Sequence, residues 1–259
     1  AAEDVICRFL RDEIRRAGFL RGVLGLSGGV DSSVVAALAA RALGPENVLG
    51  VLMPYKTSSP DSLEDATAIA KQLGIKTMRV DITPQIDAYF GQFPDADARR
   101  RGNKMARERM SILYDLSVVH EALVIGTSNK TEFLLGYFTL WGDMACALMP
   151  IADLYKTQVR QMAQHLGIPQ HIVSKAPSAD LWQGQTDEGE LGFTYAEADR
   201  ILYRIVDLGY PPERCVEEGF DRRTVEAVLA RMRATEYKRR MPLVCKISAA
   251  AADRAPREP

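Results

Sequence analysis

The sequence is poor in the residues that build disulfide scaffolds and metal cages. Its four cysteines, Cys7, Cys146, Cys215 and Cys245, lie far apart and form no CxxC pair. A chain of 259 residues does not need disulfides to hold a core, and the ligand spacing of a zinc site is missing. The three histidines, His120, His165 and His171, lack metal-ligand spacing too and read as surface or packing residues. No apolar run approaches the roughly 20 residues of a membrane span, and the N-terminal stretch lacks the basic-then-apolar layout of a signal peptide. Both point to a cytosolic protein with no membrane partner. Charge of one sign is not in excess either: Lys and Arg total 33, Asp and Glu 34, for a formal net charge of -1. That balance excludes a global basic field for nucleic acid, and the local runs Arg99–Arg101 and Lys238–Arg240 read as solvated faces.

What is present is alternation. Asp4–Ala17 carries Val5, Ile6, Phe9, Leu10 and Ile14 as a helical stripe. Gly22–Leu26 reads as a short apolar strand, and Val30–Leu43 as a helix buried on much of its circumference and stopped by Gly44 and Pro45. Strands are expected at Val48–Met53, Lys76–Val80 and Ala122–Ile125, and helices at Asp61–Leu73, Asn103–His120 and Tyr155–Leu166. Strand and helix alternating at this spacing imply parallel units with right-handed crossovers, hence an α/β doubly wound parallel sheet. Ser174–Gly192 breaks the pattern and reads as a long active-site loop able to act as a lid. Helical spacing returns at Thr194–Leu208 and Arg222–Tyr237. Residues 1–247 are expected to form a single domain, and 248–259 a flexible tail.

The strongest local signal is Leu24-Gly25-Leu26-Ser27-Gly28-Gly29-Val30-Asp31-Ser32-Ser33, where a strand turns into a helix. At the carboxyl edge of a parallel sheet this is where ligands bind. The glycines let the backbone approach an anion, Ser27, Ser32 and Ser33 offer hydroxyls, and the following helix aims its N–H groups at the loop. Asp31 is the oddity, because a carboxylate in a phosphate cradle repels the ligand unless a hard cation such as Mg²⁺ lies between them. No GxxxxGK[ST] string is present, so this is not a Walker loop.

The loop resembles that of the N-type ATP pyrophosphatases, which split ATP between its α and β phosphates and transfer AMP to a substrate oxygen. Further segments narrow the resemblance: Arg101-Gly102-Asn103-Lys104-Met105-Ala106-Arg107-Glu108-Arg109-Met110, Ile125-Gly126-Thr127-Ser128-Asn129-Lys130-Thr131-Glu132, Leu154-Tyr155-Lys156-Thr157-Gln158-Val159, Lys175-Ala176-Pro177-Ser178-Ala179-Asp180-Leu181 and Glu236-Tyr237-Lys238-Arg239-Arg240. As a set, from about Val5 to Pro242, the chain resembles the NAD synthetases of ammonia-dependent type. The resemblance implies a Rossmann-like fold of the adenine nucleotide alpha hydrolase type with C-terminal helices. It implies ATP as co-substrate, Mg²⁺ as cofactor, and amidation of nicotinic acid adenine dinucleotide by ammonia through an acyl-adenylate. By position it places ATP on Gly25, Leu26, Ser27, Gly28, Gly29, Val30, Asp31, Ser32, Thr127, Lys156 and Ser178. Asp31 and Glu132 match the metal ligands, Arg107, Tyr237 and Lys238 the dinucleotide contacts, and Ser27 and Asp143 the surroundings of the ammonia. Lys156 matches the lysine on the phosphates. A homodimer is also implied.

The chain departs from the pattern at Leu140, where members often carry Lys, at Ala147, where they often carry Asp, and at Tyr237, often His. Around Tyr137–Met144 it looks closer to the synthetase part of glutamine-dependent forms, so ammonia arrives free or from a separate glutaminase subunit. A GMP-synthetase-like amidation shares the SGGVDSS loop, and a nucleotide-binding subunit without turnover would fit the three departures.

Overall fold

The computed structural model describes residues 1–178, 185–245 and 247. The chain runs α1 (Ala2–Arg16), β1 (Arg21–Gly25), α2 (Val30–Leu43), β2 (Val48–Leu52), α3 (Pro60–Leu73), β3 (Lys76–Arg79), α4 (Thr83–Phe90), α5 (Ala98–Val119), β4 (Ala122–Val124), α6 (Lys130–Leu135), α7 (Lys156–His165), α8 (Gln170–Val173), α9 (Asp187–Leu191), α10 (Tyr195–Leu202), α11 (Pro212–Glu217) and α12 (Arg222–Ala234). The four strands form one parallel sheet in the order β3-β2-β1-β4. Gly22 lies opposite Val48 on one side and Leu123 on the other, so the carboxyl ends of β1 and β4 stand side by side. Beyond β4, Ile125 makes an isolated parallel bridge to Leu148 that extends this edge.

Residue choice explains the layers. The α1 stripe buries Ile6, Cys7, Leu10 and Ile14 on one face. The small, apolar α2 has no polar side to show: Val34, Val35, Ala36, Leu38 and Ala39 are all fully buried between the sheet, α1, α3 and α7. Each large side chain so buried contributes about 1.5–3 kcal/mol. On the opposite face, α4 and α5 cover Val23, Val51 and Val124 with Ile82, Ile86, Phe90, Met105 and Leu116. A third cluster, built on Leu135, Tyr155, Ile201, Leu202, Val225 and Val228, fastens α10 and α12 to α6.

Strand order reverses between β1 and β4, because the chain winds outward through β2 and β3 and then returns to the other side of β1. This reversal is the point where open parallel sheets leave a crevice at their carboxyl edge. Among the described residues no helix is long and apolar enough to cross a membrane.

Several expectations are corrected. The stretch expected to be a single loop, Ser174–Gly192, contains α9, capped by Thr186 and ended by the left-handed Gly192. Residues 179–184 lie outside the described residues, as does the expected tail 248–259. The helix expected to run to Leu208 ends at Leu202 and passes into one π-helical turn, Tyr203–Asp207. The helix expected to reach Tyr237 ends at Ala234, followed by a 3-10 turn, Glu236–Arg239.

Candidate active site

The loop after β1 is shaped by its glycines and serines. Gly28 has φ +78, and a Cβ there would stand 2.2 Å from the Ser62 carbonyl oxygen of α3, so no other residue fits. Ser32 Oγ accepts from the Ser27 amide at 3.2 Å and donates to the Gly29 carbonyl at 3.1 Å. Ser33 is fully buried and spends its hydroxyl on the same carbonyl at 2.8 Å. Ser33 therefore braces the loop and is not one of its outward donors.

The loop opens on a cleft of about 1200 Å³. Of the residues expected at the site, Gly25, Leu26, Ser27, Gly29, Val30, Asp31, Ser32, Thr127, Glu132, Asp143, Lys156, Ser178, Arg107, Tyr237 and Lys238 all line it. Gly28 is not on its wall; it faces Ser62 instead.

At the switch point three charges meet. Lys156, only 3% exposed at the start of α7, donates to Asp31 Oδ2 at 2.5 Å and to Glu132 Oε1 at 3.1 Å. Asp31 belongs to the helix after β1 and Glu132 to the helix after β4, so the ammonium bridges the two edges of the crevice. Burial disfavours an ammonium, but the two carboxylates outweigh it and hold the Lys156 pKa above its ordinary value. Glu132 is pushed up to about 7, by burial first and then by the nearby Asp31, with Lys156 pulling the other way.

Asn129 is the residue that sequence reasoning passed over. Fully buried, it gives its side-chain amide to Asp31 Oδ1 at 2.8 Å. It also caps α6 reciprocally with Glu132, accepting from the Glu132 amide at 3.0 Å while its own amide donates to Glu132 Oε2 at 3.3 Å. The run Asn129-Lys130-Thr131-Glu132 is a capping box legible in sequence, and that signal locates it. Asp187 was also missed. It is buried, accepts hydroxyls from Tyr137 and Tyr195, and pins its amide to the Pro177 carbonyl at 3.0 Å, beside Ser178.

The arrangement fits a hard divalent cation. Asp31 Oδ2 and Glu132 Oε1 already share one positive group, the Lys156 ammonium, so both can face a single ion. Among the described residues no group of three His, Cys, Asp or Glu side chains is placed to cage a metal. The donor set is therefore two carboxylates with substrate oxygens and water left to complete it, which suits Mg²⁺ rather than zinc.

The far side of the cleft is built by α5, the turn after Tyr137 and the C-terminal end. Asp143 anchors through Oδ1 to the Thr139 amide at 2.8 Å. It is open to the cleft but crowded by protein elsewhere, and the lost hydration pushes its carboxyl above the ordinary carboxylate range. Lys238 donates to the Gly136 and Phe138 carbonyls at 2.8 and 2.7 Å, and burial holds its pKa down. Arg107 is exposed and reaches the Leu140 carbonyl at 3.2 Å. Tyr237 is 63% exposed at the rim. Chemically, the cleft offers donors and a cation-binding pair at one end and an ionisable carboxyl with an apolar, basic rim at the other.

Residues 3–242 match the family model described as NAD synthase. The chain is 54% identical over 246 residues to the NH(3)-dependent NAD(+) synthetase of Trichlorobacter lovleyi, spanning 95% of this chain and 90% of that one. An NMN synthetase structure from Francisella tularensis superposes with TM-score 0.85 at 31% identity, covering 95% of this chain and 98% of the other. An NH3-dependent NAD synthetase from Campylobacter jejuni does so with TM-score 0.81 at 33% identity and the same coverage.

Proposed function

Because the chain belongs to the NAD synthase family, we propose that its cleft amidates nicotinic acid adenine dinucleotide to NAD, with ammonia as nitrogen donor and ATP split to AMP and pyrophosphate. The observation that carries the reading is the Asp31–Lys156–Glu132 cluster facing the glycine loop at the reversal of strand order.

The loop amides and the N-terminus of α2 hold the phosphates of ATP. The nicotinate carboxylate oxygen attacks the α-phosphorus, a P–O bond forms, and the bond to pyrophosphate breaks. Lys156 offers a fixed positive charge to the leaving pyrophosphate, where a donor aimed at developing charge is worth most. When bound by Asp31 and Glu132, Mg²⁺ would supply further neutralisation of the phosphate oxygens. Adenylation converts a poor acyl donor into a mixed anhydride. The ammonia nitrogen then attacks the acyl carbon and AMP departs. Asp143, with its raised pKa, accepts the proton that ammonium or the attacking amine must lose, and Ser27 lines the same cleft. In this reading Ser178 and Thr127 contact ATP and Arg107, Tyr237 and Lys238 contact the acceptor; all five line the cleft. The working form is a homodimer in the cytosol, with exposed Val118 and Val119 of α5 offering apolar surface to a second copy.

A second acceptor is favoured by one observation: the protein described as an NMN synthetase superposes as well as the NAD synthetase does. The test supplies ATP, Mg²⁺ and ammonia with either the deamidated dinucleotide or its mononucleotide. Equal yields of AMP and NAD from the dinucleotide support the reading. Turnover of the mononucleotide alone transfers the assignment, and ATP binding without pyrophosphate release ends it.

A further inference from the structure

Glu132 and Lys156 sit on the first turns of two different helices, α6 and α7, and their separation must be held by something other than either helix. The tie comes from α10. Asp199, 4% exposed, accepts from the Thr131 hydroxyl at 2.5 Å through Oδ1 and from the Thr157 amide at 2.8 Å through Oδ2. The same Thr131 hydroxyl oxygen, fully buried, accepts from the Lys156 amide at 3.0 Å. The first two N–H groups of α7 are thus capped from outside the helix, and a buried carboxylate faces its positive end. Four residues earlier on the same face of α10, the Tyr195 ring lies 5.1 Å from the Lys156 ammonium. α10 therefore touches the lysine side chain directly through Tyr195 and holds its backbone through Thr131 and the neighbouring Thr157 amide. Neither Asp199 nor Thr131 lines the cleft.

We propose that Asp199 is a positioning residue for adenylation, setting the separation of Glu132 and Lys156 through Thr131 and the first turn of α7. The inference deepens the functional reading above and rests on it. With contacts of 2.5 and 3.1 Å from the ammonium to its carboxylates, a shift of about 1 Å at either helix end breaks the alignment, an error that costs roughly 100-fold in aligned sites.

The test compares Thr131→Val, which keeps the shape and removes the hydroxyl, with Thr131→Ser, which keeps the hydroxyl. Pyrophosphate release is followed at varied ATP and acceptor, well below each melting temperature. For Thr131→Val the expected result is a kcat lowered about 10- to 100-fold with an unchanged KM for the acceptor, and for Thr131→Ser near wild-type turnover. A Thr131→Val enzyme that melts earlier but turns over at wild-type kcat overturns the proposal, because the network would then be a structural cap alone. Should Thr131→Val fail to fold, the near-isosteric Asp199→Asn carries the same comparison, with lowered kcat supporting the proposal and wild-type kcat refuting it. A wild-type protein that releases no pyrophosphate removes the functional reading and this inference with it; an active wild type with an equally active variant removes the inference alone.

Discussion

Lys156→Met isolates the charge at the centre of the site. The substitution keeps an unbranched apolar stem of similar length and deletes the ammonium that lies 2.5 Å from Asp31 and 3.1 Å from Glu132. At an effective dielectric of about 20, contacts of these lengths carry about 5–7 kcal/mol each of Coulomb energy, most of it offset by dehydration. Deleting one partner of a buried pair leaves the others uncompensated, which costs about 3–5 kcal/mol. In a chain of this size that lowers the melting temperature by about 10 °C. The pH dependence has a definite sign. Without the lysine Glu132 faces Asp31 uncompensated, so the Glu132 carboxyl, already raised by burial, rises further above its unfolded value. The folded variant is then best tolerated at low pH, where Glu132 is protonated in both states. Its deficit grows as pH rises through the value of Glu132, already about 7 in the intact protein. Thermal denaturation of both proteins at about pH 6 and pH 8 therefore shows a larger gap at the higher pH, and kcat falls by about 100-fold or more. A gap that does not change with pH, or wild-type turnover, refutes the reasoning.

Gly28→Ala places a Cβ 2.2 Å from a backbone oxygen at φ +78; it is expected to lose well over the ~1–2 kcal/mol of a left-handed residue, read by urea denaturation, and to abolish ATP binding by calorimetry. Asn129→Ala removes the α6 cap, about 1 kcal/mol, and the 2.8 Å donor to Asp31; kcat/KM for ATP is expected to drop with only a few degrees of melting temperature, and equal losses with all substrates would count against it. For Asp143, whose carboxyl is raised by the hydration it loses to surrounding protein, the rate at a constant concentration of unprotonated ammonia should fall as pH drops through a value above the ordinary carboxylate range of about 4. Asp143→Asn should flatten that limb while lowering the rate, and an unchanged profile would remove Asp143 from proton transfer.

The elements that carry the site were legible because their signals are local. The loop 24–33 holds strand end, turn and helix start within ten consecutive positions, and α2 begins and ends where its composition says, at Val30 and Leu43. α4, α6, α8, α9 and α11, at eight residues or fewer, are too short to show a hydrophobic period, and none was anticipated. The burial of Lys156 was invisible for another reason. A lysine at a helix start reads as exposed until its partners are known, and one of them, Asp31, is 125 positions away. Asp199 was silent on the same ground, since its value lies in joining two helix ends that only the fold brings together. The Ser174–Gly192 stretch reads as irregular because its turn residues are dense, yet Thr186 caps a helix there with a hydroxyl and Asp187 is held by two tyrosines. At the acceptor end, Leu140 offers its backbone carbonyl to Arg107, a contact that side-chain identity does not encode.

In the proposed reaction a substrate carboxylate oxygen attacks the α-phosphorus of ATP held at the loop beside Asp31 and Lys156. Labelling both carboxylate oxygens of the deamidated dinucleotide with ¹⁸O tests it most directly. One labelled oxygen is expected in the AMP phosphate and the other in the amide of NAD. Label in pyrophosphate or inorganic phosphate, or AMP carrying none, would contradict it.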